Sequence, residues 1–265
     1  MEDKRLSIYV SSFDGCEDLW GPFFGLMKIF WCDCKYPIYL INNEKKYSAP
    51  IENLNIIHTG VEKNWLDRTI RSVDMLSEKY ILFMLEDYFI SKKIKNEDIE
   101  EILNFMEDNK AYYYQLSRGC FDAKDAIRVN VGIMKKYLIS LQPAIWERKK
   151  FLSILKEING KTPWDAECYL NQKYSGVQRE IYGAYCDTRD LLGYKNGVLR
   201  GKWILDTVNY YKEQGIALDL GKRKVMSRSA MLKYNIADYV SDNLPEEIKC
   251  FVKKIMKTLN IDYLK

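Results

Sequence analysis

"ILFMLEDYFI", Ile81 to Ile90, decides the reading of the fold. Five consecutive apolar residues run into Glu86 and Asp87, and Tyr88-Phe89-Ile90 then resumes the apolar character. A short unbroken apolar run reads as a strand buried on both faces. Two carboxylates cannot be buried without compensation. They lie at the strand's exposed end, or they hold a cation or a polar ligand.

The flanking sequence supplies more strands of the same kind. "LSIYVSS" (Leu6 to Ser12) ends in the turn signal "FDG", "PIYLIN" (Pro37 to Asn42) ends at Asn42-Asn43, and "LNIIHT" (Leu54 to Thr59) is a third. Between them lie helical segments. "EDLWGPFFGLMKIFW" starts acidic and carries a heavy apolar load, with an irregularity expected at Gly21-Pro22 because proline breaks the ladder. Leu66, Thr69, Ile70, Val73 and Leu76 keep helical spacing between Asn64 and Ser77. "NEDIEEILNFMED" places Ile99, Ile102, Leu103 and Met106 on one face, with Asn96 as the expected N-cap. "AYYYQL" (Ala111 to Leu116) is a strand.

This alternation predicts an α/β fold: a Rossmann-type mixed, mostly parallel sheet flanked by helices. Its ligand site belongs outside the carboxyl ends of the strands. Three of those ends fall at Asp14, Asn42-Asn43 and Glu86-Asp87.

The second half is less regular. "YLISLQPAIW" reads as a strand, with a helix from Glu147. "TPWDAECYLNQKY" has Thr162 as N-cap and Pro163 at N1, which puts Trp164, Asp165 and Glu167 in the first helical turn. "REIYGAY" and "NGVLRGKW" look like strand and turn. The tail "LPEEIKCFVKKIMKTLNIDYL" sets Ile248, Phe251, Val252, Ile255, Met256 and Leu259 opposite lysines. The simplest division is one α/β domain over 1–220 and a basic C-terminal helical appendage over 221–265.

Composition bounds the function. A chain of 265 residues, 47% hydrophobic and 29% charged, can build a sizeable core without disulfides. The seven cysteines are scattered, with Cys32 and Cys34 the close pair, and His58 is the single histidine. That is too few ligands, badly spaced, for structural zinc, and it fits reduced thiols in a cytoplasmic protein. The charged start "MEDKR" does not read as a signal peptide, and no segment approaches a membrane span. A net charge of +4 does not point to nucleic acid. The positive charge gathers late, in "GKRKVMSR" (Gly221 to Arg228) and the last lysines.

Taken in order, "SSFDGCEDLWGPFF", "YPIYLINNEK", "NWLDRTIRSV", "ILFMLEDYF", "SLQPAIWERKKFL", "PWDAE" and "LRGKW" resemble the GT-A nucleotide-sugar glycosyltransferases, in particular bacterial polysaccharide-associated ones. The resemblance spans most of residues 6–220. It implies a nucleoside diphosphate sugar donor, UDP-sugars first, and a saccharide or lipid-linked saccharide acceptor. It places Ser12, Asp14 and Asn42 at the nucleotide, and Glu86 and Asp87 where the family carries its Asp-x-Asp motif. Here Leu85 or Phe89 stands where a second aspartate is expected, so a Mg or Mn ion would rest on Asp87 with Glu86 as the substitute acid, or the donor is held without metal.

Trp65 can stack on a base or anchor the core, and Arg68 can pair with a diphosphate or with a surface acid. An inverting transfer needs a carboxylate to take the acceptor's proton. The resemblance puts Asp165, and next to it Glu167, in that role; helix-dipole capping is the competing account. Arg200 and Lys202 offer positive charge to the leaving diphosphate, or form a solvated face. The basic C-terminal helix either packs on the domain or lies on an anionic membrane. Two other functions stay open: a non-catalytic domain that binds a saccharide or nucleotide, and sugar-phosphate nucleotidylyl transfer. The latter usually carries a Gly-rich, Arg-containing loop after the first strand, which "SSFDGCEDLW" lacks.

Overall fold

The computed structural model describes residues 5–48, 51–61, 64–117, 126–134, 138–174 and 180–243. The chain divides into two compact units, residues 1–195 and 196–265.

In the first unit, an eight-stranded sheet runs in the order β3-β2-β1-β4-β8-β6-β9-β7 among the described residues. Strands β1 (Leu6–Ser11), β2 (Ile38–Asn42), β3 (Leu54–His58) and β4 (Tyr80–Leu85) are mutually parallel. Strand β8 (Ala144–Glu147) enters antiparallel between β4 and β6 (Tyr113–Gln115). β6 therefore points the same way as β4, and β9 (Ala184–Asp187) pairs parallel to β6. Strand β7 (Arg128–Asn130) closes the far edge antiparallel, and the sequence reading had no strand there.

The central strands explain the apolar runs. Every residue of β1 and the first five of β4 are buried, as a strand covered by helices on both faces must be. Phe83 is fully buried and packs its ring on Tyr9, Trp65 and Phe151, with centroids 5.6, 6.4 and 5.5 Å away. Each such side chain contributes about 1.5–3 kcal/mol by leaving water.

Helix α1 (Glu17–Phe30) is continuous through Pro22, which corrects the irregularity expected there. Burial of Leu19, Trp20, Phe23, Phe24, Leu26 and Met27 holds the helix across the missing N–H. Helix α2 (Trp65–Met75) starts at Asn64, whose Oδ1 accepts from Asp67 N–H at 3.0 Å. In α3 (Asn96–Asp108) the cap position falls on Lys95, not Asn96. The Asn96 amide is spent elsewhere: it accepts from Trp31 Nε1 and donates to Asp33 O. Helix α4 (Arg148–Glu157) begins one residue later than expected, with Glu147 capping Lys150 N–H at 2.7 Å. Helix α5 (Pro163–Tyr174) starts as the sequence suggests, with Asp165 N–H donating to Thr162 Oγ1 at 3.1 Å.

The short strand β5 (Tyr88–Phe89) follows β4, and β10 (Lys195–Asn196) falls at the division between the units. The second unit contains the hairpin strands β11 (Val198–Leu199) and β12 (Lys202–Trp203) and the helices α6 (Leu205–Glu213) and α7 (Arg228–Asn243). The amphipathic run from Ile248 to Leu259 lies outside the described residues.

Candidate functional site

Because β3, β2, β1, β4, β6 and β9 run in one direction, their carboxyl ends share one edge. The register sets Ser11 beside Ile41 and Leu85, and Asn42 beside His58. Ser12, Asp14, Asn42 and Glu86-Asp87 are thus brought to the same edge. "ILFMLEDYFI" resolves into β4, a turn at half-buried Glu86-Asp87, and β5.

Asp14 clamps this edge. Its carboxylate accepts from the backbone N–H groups of Asn43, Glu44 and Lys45 at 3.0–3.3 Å, and its own N–H donates to Asn43 Oδ1 at 3.1 Å. Three successive N–H groups around one anion form a nest. Asn42 is fully buried; it donates to Lys45 O at 2.6 Å and shares a 2.8 Å hydrogen bond with His58 Nδ1. Ser12 Oγ accepts from Trp20 Nε1 at 2.7 Å. Trp65 is 8% exposed and donates through Nε1 to Ser11 Oγ at 2.9 Å, edge-on to Phe83. It ties α2 to β1 as a core anchor.

Arg68, one turn along α2, behaves differently. It is 8% exposed, and its Nε has no hydrogen-bond partner among the described residues. The guanidinium lies 5.9 Å from the ring of Phe13, which is itself 44% exposed. Burial pulls its pKa below the usual arginine value, against the fields of Tyr9, Glu86 and Asp14. Among the described residues no carboxylate pairs with Arg68, and a buried cation is costly to hold without one.

The acidic pair has neighbours of its own. Tyr88 is buried beside Tyr194, their ring centroids 5.0 Å apart. Burial pushes the Tyr88 phenol well up, and Tyr194, Asp87, Glu167 and Glu86 add to the rise. Glu167 of α5 thus acts on the same Tyr88 phenol as the strand-four acids. Its Oε1 accepts from Leu141 N–H at 2.6 Å. The adjoining Gln142 joins a buried polar cluster at the end of β6: Gln115 Nε2 donates to Gln142 Oε1 at 3.1 Å and to Ser117 Oγ at 2.9 Å.

Asp165 is occupied as a cap. Its Oδ2 accepts from Lys161 N–H, Thr162 N–H and Thr162 Oγ1 at 2.8–2.9 Å. These bonds, the one from Lys161 first, lower its pKa. The structure corrects the placement of Glu167 in the first helical turn: Asp165 is the acidic residue there, so the dipole account covers only Asp165.

Arg200 and Lys202 belong to the second unit. Arg200 sits in the β11–β12 turn with φ +49°, Lys202 begins β12, and both are exposed. Phe13, Tyr88, Tyr194 and Gln115 carry no site signal of their own in the sequence. Tyr88 stands inside the opening stretch, but no local signal marks Tyr194 or Gln115. A cavity of about 290 Å³ lined by Met27, Trp31, Cys34, Ile38 and Asn53 opens at the opposite, amino-terminal edge of the sheet.

No family model and no curated protein sequence matches the chain. Among solved structures it is similar to residues 1–349 of Staphylococcus aureus TarS, with TM-score 0.47, 10% identity, and coverage of 92% of this chain and 68% of that one. It spans 41% of a longer TarS structure. It is also similar to a 4-diphosphocytidyl-2C-methyl-D-erythritol synthase of Anaerococcus prevotii, with TM-score 0.45, 10% identity, and coverage of 80% and 97%. For the galactosyltransferase LgtC, solved with donor and acceptor sugar analogues, the values are 0.42, 9%, 77% and 78%. Both glycosyltransferases and nucleotidylyltransferases are among these structures, so the likeness does not separate the two activities.

Proposed function

We propose that the chain is a glycosyltransferase that takes its sugar from a nucleoside diphosphate donor, UDP-sugars first, bound at the carboxyl edge of the sheet. The observation that carries this is Arg68: a buried guanidinium at the strand ends, its Nε without a hydrogen-bond partner among the described residues, calls for an anion. A diphosphate accepts from a guanidinium in bidentate fashion and carries the charge that develops as the glycosidic bond breaks.

Glu86 and Asp87 face the donor. Their carboxylates offer the hard oxygen ligands that Mg²⁺ or Mn²⁺ prefers. Among the described residues no three His, Cys, Asp or Glu side chains gather into a metal site. A cation held by Glu86 and Asp87 would share its shell with the diphosphate and neutralise it.

Glu167 is the better general base of the helix-α5 acids, reversing the sequence preference for Asp165. A base must be able to take up the acceptor's proton. Three donors lower the Asp165 pKa, whereas Glu167 lies off the cap and is held by Leu141 N–H beside the end of β6. An acceptor hydroxyl would lose its proton to Glu167 as its oxygen attacks the anomeric carbon, with inversion. Surface polysaccharide synthesis is the setting the sequence resemblance suggests.

The start of α1 argues against a triphosphate cradle after β1. That helix N-terminus carries Glu17 and Asp18, which repel phosphate where a helix end would otherwise attract it. Titration calorimetry with UDP, with and without Mn²⁺, tests the proposal. Binding that Arg68→Ala weakens is expected. Absence of binding to any nucleoside diphosphate or its sugars overturns it.

A further inference from the structure

Residues 196–265 carry 13 Lys and Arg against 8 Asp and Glu, a net +5, while the remaining residues sum to −1. The fold of the second unit concentrates part of that charge. Val198 pairs with Trp203 and Leu199 with Lys202, leaving Arg200 and Gly201 as a two-residue turn with φ of +49° and +73°. Positive φ at both central residues is the geometry of the tight hairpin turn. The segment after Gly221 is then laid beside β12. Trp203 N–H donates to Lys224 O and Met226 N–H to Trp203 O, both at 2.9 Å, and Trp203 bridges Val225 in parallel. Trp203 is fully buried and anchors this arrangement through Nε1 to Leu220 O at 2.9 Å.

The result gathers cations that lie twenty residues apart in sequence. Arg200, Lys202, Lys222 and Lys224 are exposed around the turn. Arg223 reaches over it: a Cβ on Gly201 would sit 3.9 Å from Arg223 Nη1. The acid nearest the segment, Asp219, accepts from Gly221 N–H at 3.0 Å. Ser227 then caps α7 through Ala230 N–H at 3.2 Å, and Arg228 opens the helix exposed. One turn on, on the same side, Leu232 is 61% exposed, while Met231 is buried.

We propose that this basic face docks the protein on an anionic membrane surface. Cations meet the negative headgroups, and an exposed aliphatic side chain enters the boundary with the acyl chains. A single-stranded nucleic acid would instead call for exposed rings to stack on. Among the described residues of this unit the large apolar side chain left exposed is Leu232. No helix of the described residues is long and apolar enough to cross a membrane. The inference does not depend on the donor site.

Flotation of the full chain with phosphatidylcholine vesicles, with and without ~30% phosphatidylglycerol, tests it. The chain is expected to float with the anionic vesicles alone and to be released at ~1 M salt, where the screening length falls to about 3 Å. Each basic residue near such a surface is worth about fivefold in partition, so Lys222→Glu/Lys224→Glu should weaken binding at least tenfold. Should that variant not fold, Lys222→Gln/Lys224→Gln reads the same quantity. Equal binding to neutral vesicles overturns the proposal, as does undiminished binding of the double variant. Tighter binding to duplex DNA than to vesicles at equal phosphate concentration overturns it too.

Discussion

Replacing Arg68 with methionine separates what the guanidinium does for a ligand from what it does to the fold. Methionine keeps the length of the stem and removes the charge. In the folded protein the side chain is 8% exposed, and its Nε lacks a hydrogen-bond partner among the described residues. A buried unsatisfied polar group costs about 1–3 kcal/mol. The contact with the Phe13 ring, at 5.9 Å, returns about 0.5–1 kcal/mol of that. Arg68→Met should therefore stabilise the ligand-free protein by about 1–2 kcal/mol. For a chain of this size that raises Tm by roughly 2–8 °C. The same change removes a charge-assisted hydrogen bond to the diphosphate, worth about 1.5–3 kcal/mol. UDP should then bind roughly 10- to 100-fold more weakly. Thermal unfolding and calorimetry on one preparation read both quantities. A lowered Tm with unchanged UDP affinity would refute the reasoning, because Arg68 would then be a structural residue.

Four further outcomes follow from the same geometry. Glu167→Gln should lower kcat by roughly 10²–10⁴ with little change in donor KM, since a base acts in the chemical step, and steady-state kinetics distinguishes this from a binding defect. Asp87→Asn should remove most of the Mn²⁺-dependent gain in UDP affinity, read by calorimetry with and without the metal. The Asp165 pKa is depressed in the folded state, so its stabilising effect is complete above the unfolded value of about 4 and is lost as pH falls below it. Asp165→Asn should accordingly flatten the pH dependence of Tm below about pH 4 and leave kcat nearly intact; an unchanged acid profile contradicts the capping role. Phe83→Ala should cost about 3–5 kcal/mol in a urea titration, because Tyr9, Trp65 and Phe151 cannot collapse onto the gap together.

The parallel half of the sheet was legible because burial on both faces leaves an unbroken apolar signature, as in "LSIYV" and "ILFML". The edge that gathers Asp14, Asn42 and Glu86-Asp87 followed from the strand ends alone. Beyond β4 the order β8-β6-β9-β7 depends on long-range pairing that no local pattern records, and β7 has only three residues. Individual side chains were harder. Asn96 reads as a cap by type, yet its amide bridges Trp31 and Asp33, residues far away in sequence. Asp165 and Glu167 look equivalent two residues apart, but about half a helix turn separates their surroundings: one meets Thr162 and Lys161, the other Leu141. Tyr194 carries no signal at all, since its place beside Tyr88 depends on the path of the chain after β9.

Phosphorus NMR on the purified chain bears most directly on the central claim. Incubated with a panel of nucleoside diphosphate sugars and Mn²⁺, the protein should release the nucleoside diphosphate, slowly with water and faster once a saccharide acceptor is supplied. Arg68→Met should abolish that signal. Release of pyrophosphate from a nucleoside triphosphate and a sugar phosphate, with none of the diphosphate sugars consumed, would contradict the account.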